Sequence, residues 1–393
     1  GKVCSAPSDV KRAHKDNFAL KLGGLDIEPL DLIKEHFTNP LIGKCTHVID
    51  TDVGKLFRSG RAGSAPGNDR LGYGVFAAFE DILVPPMVDI SNMAADGDCP
   101  LQWCGSILQE VFKKGSSSVL DNYRDVQLAD VSGKVFKRSR RAELLPYCNS
   151  YISDSMCGGF LKRGTDFCSH FIRTKQTIAR LSGLCFGILF IDVVGAFASV
   201  VRSLITSVEL PDEYIAYIFK SLKFDAVVFH EFRMNLLGAC AFNEAGVPPL
   251  LQESVNPYLL NTWFTVDKCP GVTQYTLGSG AGNPLADITF TFLMAKILRQ
   301  CQDKLVVEGL IEPIPAVDNP LVGSSDGQSH YDIGCSYVDD SLFHTVHEDP
   351  FLLVENLVKI AAVVFHVFFM HALLVNCKPG KTNFMLQLRG RDA

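Results

Sequence analysis

Residues 185–194 read CFGILFIDVV, a run too short for a typical helix and β-branched at its end. Such a run predicts a central strand. Its one charged residue, Asp192, sits where an ionised carboxylate loses hydration. That placement is tolerable mainly when a cation neutralises it. Any fold for this chain must build a sheet around the strand and answer the acid at its end.

The rest of the chain supplies partners. Residues 1 to about 50 predict a helical lead-in, with apolar periodicity over 17–22 and 30–37. The breaker-rich stretch 58–69 predicts a loop, and helical periodicity returns over 73–112. Helical spacing is predicted for 196–205, a β-hairpin for 262–277, and a helix from Pro284, capped by Asn283, to about Gln300. Residues 311–328 predict a surface insertion and 332–346 a hairpin with an acidic pair at its tip. A helix over 351–370 and a strand over 372–375 close the series. The expected fold is α+β, a mainly antiparallel sheet with helices packed on one face.

Composition narrows the classes. The 393 residues are 47% hydrophobic and 20% charged, which excludes disorder, and the net charge of −6 argues against a polybasic binder. The 13 cysteines are never spaced C-x-x-C, so reduced core thiols are expected, in an intracellular setting, nuclear or cytoplasmic. No secretory leader opens the chain and no initiator Met begins it, which suits a start inside a larger reading frame. The most apolar window, 360–375, contains His366 and His371 and falls short of the roughly 20 residues a span needs. It is read as a buried helix and strand, with no membrane partner.

Asp339 and Asp340 follow Tyr337-Val338 on the second hairpin. With Asp192 they make three hard oxygen donors of the kind that suit Mg²⁺. Two such ions, roughly 3.5–4 Å apart, activate an attacking hydroxyl and stabilise a leaving oxygen in phosphoryl transfer. Taken singly, Asp192 as a helix cap and Asp339-Asp340 as a solvated turn are equally open readings.

Ile191-Asp192-Val193-Val194-Gly195-Ala196-Phe197 and Tyr337-Val338-Asp339-Asp340 closely resemble the two metal-binding motifs of reverse transcriptases, those of non-LTR retrotransposons in particular. Further segments resemble that family in its order: 64–69 its early fingers loop, Tyr123-Arg124-Asp125-Val126 with Lys134 a fingers strand, and 162–166 a template-side segment. Gly282-Asn283-Pro284-Leu285-Ala286-Asp287 looks like its helix start, and Asn376 with Lys381-Thr382 like the end of its palm. The resemblance covers about residues 54–390. It implies a right-hand polymerase: lead-in 1–53, fingers 54–184, palm 185–393 with insertions near 211–260 and 301–330, and no thumb.

The implied activity is RNA-directed DNA synthesis as part of a retroelement polyprotein, whose thumb and endonuclease domains would be missing here. Asp192, Asp339 and Asp340 would hold two Mg²⁺ ions, with Mn²⁺ as an alternative, and the Val193 carbonyl would help. Arg124, with Lys113 or Lys114, would hold the deoxynucleoside triphosphate, alongside Gly282. Lys381 would face the leaving pyrophosphate, with Lys378 as its rival. Phe197 would exclude a 2′-hydroxyl unless it is simply a core aromatic. RNA template and DNA primer would meet Lys134, Lys137, Arg138, Lys162 and Arg163, drawn from a run with five cations in eight residues (134–141) and from the 162–163 pair. The family usually has Gln where this chain has Ala281 and Met156. The alternative reading is a degenerate relic that binds nucleic acid or a partner without turnover. A template-dependent RNA polymerase is a third.

Overall fold

The computed structural model describes residues 6–38, 50–159, 163–210, 212–223, 225–311, 313–314 and 330–389. Among these, fifteen α-helices accompany twelve strands: β1 (Leu25–Ile27), β2 (Gly105–Phe112), β3 (Tyr123–Leu128), β4 (Met156–Cys157), β5 (Cys185–Ile191), β6 (Trp263–Val266), β7 (Cys269–Gln274), β8 (Pro313–Ile314), β9 (His330–Tyr331), β10 (Gly334–Tyr337), β11 (Asp340–His347) and β12 (Asn383–Gln387). The chain is α+β with two mixed five-stranded sheets, one in each of two units. The units are discontinuous. The first takes Gly1–Tyr151, Phe197–Val227 and Leu236–Phe290; the second takes Ile152–Ala196, Val228–Asn235 and Thr291–Ala393.

In the first unit the sheet runs β1-β7-β6-β2-β3, antiparallel except for β2 beside β6. Two local expectations fail there. The lead-in is not wholly helical, since residues 25–27 pair with β7 at its edge. Residues 105–112 are strand, because six pairs with β3 and four with β6 outweigh a helical spacing that two long-range ladders can override. The 262–277 hairpin forms as β6–β7 and belongs to this sheet. Its core gathers Phe18, Leu22, Leu108, Phe264, Val266 and Tyr275.

Residues 196–205, expected to be helical, instead form turns and one 3₁₀ turn at Arg202–Leu204. Arg202 explains the difference. Its guanidinium is 3% exposed and donates to the carbonyls of Leu259, Tyr275, Leu277 and Gly278 and to Thr262 Oγ1. Making these five hydrogen bonds inside the protein fixes this segment more firmly than local spacing does.

In the second unit the sheet runs β12-β5-β11-β10-β4, with only β4–β10 parallel. β5 is interior and buried on both sides, which corrects the expectation of helices on one face. Phe186 and Ile188 meet Cys335, Leu342 and the helix Thr165–Leu181. Gly187 points the other way, at Leu357 of the helix Pro350–Phe369. An almost continuous apolar strand reads the same way, since both its faces need cover.

The helix Pro350–Phe369 matches expectation, capped by the Asp349 carboxylate, which accepts from the Phe351 and Leu352 amides at 2.7 and 3.3 Å. By length and composition it is apolar enough to cross a membrane; 39% of its apolar window is buried, and it packs on β5 and β11. The strand expected over 372–375 reduces to one bridge, Val193 to Val375. Ala372 takes φ +60°, turning the chain, and the edge strand forms later as β12. The described cysteines are all free thiols, eight of them buried. The 311–328 insertion lies outside the described residues except at 311, 313 and 314.

Candidate active site

The second unit brings the sequence-predicted carboxylates together. β11 pairs with β5 as far as Ser341 opposite Ile191, so one further step sets Asp340 beside Asp192. On the other flank β12 pairs as far as Asn383 opposite Phe190, and the same counting sets Lys381 beside Asp192. β10 and β11 are joined by a two-residue turn, with Tyr337 opposite Asp340 and Val338-Asp339 at the tip. Val338 has φ +59°, a position where glycine is usual and a β-branched residue is strained. Gly158, at φ +86°, lies so close that a Cβ there would sit 2.5 Å from Val338 Cγ2.

Asp192 is held on every side. Its amide donates to Thr382 Oγ1 at 3.1 Å, and its carbonyl accepts from the Asn376 amide at 2.8 Å. Asn376 Nδ2 donates to Asp192 Oδ2 at 2.7 Å, and Lys381 Nζ lies 3.3 Å from Oδ1. Lys381 is thus the residue that reaches Asp192; Lys378 contributes its backbone amide to Asn376. The roles of Asn376 and Thr382 were not foreseen, although both stand in the motif that flagged Lys381. Val193 bridges Val375 through ladder bonds on residues 192 and 194, which leaves its own carbonyl out of the bridge.

Asp340 feels its two acidic neighbours. Burial, then the charges of Asp339 and Asp192, push the Asp340 carboxyl above its ordinary value, with Lys381 opposing. A part-buried carboxyl beside two like charges is disfavoured in its ionised form. The donor chemistry, three hard carboxylates and a nearby backbone carbonyl, fits a divalent cation such as Mg²⁺. The side chains do not form a closed cage: among the described residues no three His, Cys, Asp or Glu groups are gathered to hold one ion. Both Asp192 oxygens are turned toward Asn376 and Lys381.

No family model matches the chain, and no curated protein does. Among solved structures it is similar to apo telomerase from Candida tropicalis truncated from its C-terminal domain, at 11% identity and a TM-score of 0.44. The match covers 74% of this chain and 51% of that one, so the chain spans about half the length of that structure.

Arg163, in the same unit, is committed to its own loop. Its guanidinium donates to the carbonyls of Ser153 and Met156 and pairs with Asp154 at 3.2 Å, bracing the approach to β4. Lys162 lies outside the described residues.

The remaining predicted residues belong to the first unit. Arg124 is exposed on β3, opposite Val111, with Lys113 and Lys114 exposed just beyond β2. Gly282 has φ +96°, and a Cβ there would stand 2.7 Å from the Gln127 carbonyl, so only glycine lets the 280–282 turn lie on β3. The helix expected from Pro284 starts at Ala286 and runs to Val307, because Asn283 Oδ1 caps an earlier turn through the Leu285 amide. Phe197 is half-buried against Phe290, ring centroids 4.8 Å apart, and its carbonyl accepts from the Ser279 amide.

The basic run 134–141 is not a solvated face. It lies on the helix Val131–Tyr151, where successive side chains diverge by about 100°. Lys137 is 2% exposed, which withdraws it from any phosphate backbone. Lys134 is half-buried near Asp130 and Asp69, and its ammonium is lowered by that burial. Arg140 is buried against Glu143, and Arg141 forks onto Asp287 at 2.6 and 3.1 Å. Arg138, half-exposed, donates to Ser59 Oγ.

Proposed function

We propose that the chain is a template-directed nucleotidyltransferase that makes DNA on an RNA template, the polymerase part of a retroelement protein. The observation that carries this reading is the convergence of Asp192 and Asp340 at neighbouring strand ends, with Asp339 in the turn between β10 and β11. In the proposal Asp192, Asp339 and Asp340 hold two divalent ions, Mg²⁺ or Mn²⁺. When bound, such ions lower the barrier for attack of a primer 3′-hydroxyl on an α-phosphate and for departure of pyrophosphate.

The chain's own residues do the rest. Asn376 and Thr382 fix the rotamer and backbone of Asp192, so that its carboxylate is presented in one direction. Lys381 lends a positive charge to that carboxylate and is the candidate to meet the leaving pyrophosphate. Arg124 would grip the triphosphate with its planar fork. Phe197 would crowd a 2′-hydroxyl and favour deoxynucleotides. Arg138 and Lys162 stay the candidates for phosphate contacts to template or primer.

The test is primer extension by the full chain on an RNA template with deoxynucleotides and Mg²⁺ or Mn²⁺, repeated with Asp339→Ala. Extension that survives the substitution would refute the assignment of the site. One observation favours the second reading, a relic without turnover: both Asp192 oxygens are already occupied by protein donors. That reading expects RNA binding with no extension under either metal.

A further inference from the structure

In the first unit, the short helix Leu101–Cys104 packs on the helix Val131–Tyr151, and two thiols meet a lysine there. Cys99 and Cys104 are each 4% exposed, with their sulfurs 3.6 Å apart. Lys137 is 2% exposed and stands 5.1 Å from the ring centre of Tyr258. Tyr258 is 1% exposed, and its hydroxyl acts on the Cys99 thiol.

A lysine this deep is almost always paired. Burial lowers the Lys137 ammonium; the charges of Cys104, Cys99 and Asp130 oppose that shift, and Lys134 adds to it. Asp130 is already engaged, accepting from Gln102 Nε2 at 2.6 Å and the Asp69 amide at 3.1 Å. Cys99, the thiol brought below its ordinary value, is therefore the natural counter-charge. The two thiols are unequal. Burial raises Cys99, but Cys104, Tyr258 and the Lys137 charge together bring it below the ordinary thiol value. Cys104 is held well above that value by its bond to Cys99, by burial and by the Cys99 charge. Buried structural thiols are ordinarily inert, and burial raises Cys148 and Cys301 here.

The geometry points to a redox-responsive dithiol: Cys99 and Cys104 close into a reversible intramolecular disulfide when a small peroxide reaches them. The Cys99 thiolate attacks one peroxide oxygen, forming an S–O bond as the O–O bond breaks and hydroxide leaves. The Cys104 sulfur then attacks the sulfenic sulfur, the S–S bond forms, and the hydroxyl departs. The thiol protons end on the two hydroxides, so one peroxide becomes two waters and the cysteine pair gives up two electrons. The sulfurs need to close by about 1.5 Å to reach bonding distance. Cys104 ends a four-residue helix just before β2 and Cys99 lies in the preceding loop, so the movement falls to the loop side.

The experiment treats the full chain with graded hydrogen peroxide, blocks remaining thiols, and maps peptides without reduction. The expected result is a Cys99–Cys104 disulfide at doses that leave Cys148 and Cys301 reduced, reversed by dithiothreitol. In Cys104→Ser, Cys99 should be trapped as sulfenic acid by a dimedone-type nucleophile. In Lys137→Met the trapping rate should fall about tenfold, as loss of a neighbouring cation returns the thiol toward its protonated form. Should Lys137→Met fail to fold, the Cys104→Ser labelling decides alone. Cys99 and Cys104 staying reduced while the exposed Cys377 is oxidised would overturn the proposal. So would trapping of Cys99 no faster than that of Cys148.

Discussion

Gly187 offers a test of how the second unit is built. It occupies the middle of β5, and its φ is not positive, so alanine is allowed there by the backbone. Sterically it is not. A Cβ on Gly187 would lie 2.3 Å from Leu357 Cδ1 and 3.1 Å from Cγ, where ordinary contact needs 3.4 Å or more. Leu357 is 1% exposed, so it cannot swing out into solvent. Overpacking of this kind costs about 1–3 kcal/mol, and the lower entropy cost of ordering alanine returns about 0.5–1 kcal/mol. Gly187→Ala should therefore destabilise the unit by up to about 2.5 kcal/mol. Leu357→Ala alone should cost about 2–5 kcal/mol through the cavity it leaves. In the double variant the new methyl enters that cavity, so the sum of the single costs should exceed the double by at least about 1 kcal/mol. Hydrogen exchange of amides in β5 and in the helix Pro350–Phe369 reads this unit, whereas Trp103 and Trp263 both report on the other. Additivity of the two substitutions within about 0.5 kcal/mol would refute the packing argument.

Three further predictions follow from other contacts. Arg202→Met should destabilise the first unit by at least about 3 kcal/mol, since the carbonyls around the guanidinium lose their donors, and urea unfolding followed by tryptophan emission checks it. Asp340 has a folded-state carboxyl raised above the unfolded value of 3.8, so its ionisation opposes folding: stability falls as pH rises through the window between the two values. Asp340→Asn should then make the second unit more stable at neutral pH and flatten its dependence in that window, while primer extension is lost. Phe197→Ala should raise incorporation of ribonucleotides relative to deoxynucleotides by on the order of tenfold or more, and an unchanged ratio in competition assays would leave Phe197 as packing against Phe290.

Much of the second unit was legible because its signals are local. CFGILFID reads as a strand from its length and branching, Asp349-Pro350 announces the next helix, and Tyr337-Val338-Asp339-Asp340 sits at a turn that two short runs imply. What failed was decided at long range. Residues 105–112 became strand through partners both near and far along the chain, and 196–205 lost a helix to the demands of one buried guanidinium. The basic run 134–141 looked like a nucleic-acid grip because charge is visible in a sequence and burial is not.

By itself the sequence determined that an acid must stand at the end of a buried strand and that an acidic pair must follow a second short strand. Only the tertiary structure decided that β5 would lie between β11 and β12, and hence that Asp192 would face Asp340 on one flank and Lys381 on the other. Strand order and register are properties of hydrogen-bonded ladders between distant segments. No local preference encodes them, because each strand would pair equally well in several registers until the burial of both its faces selects one.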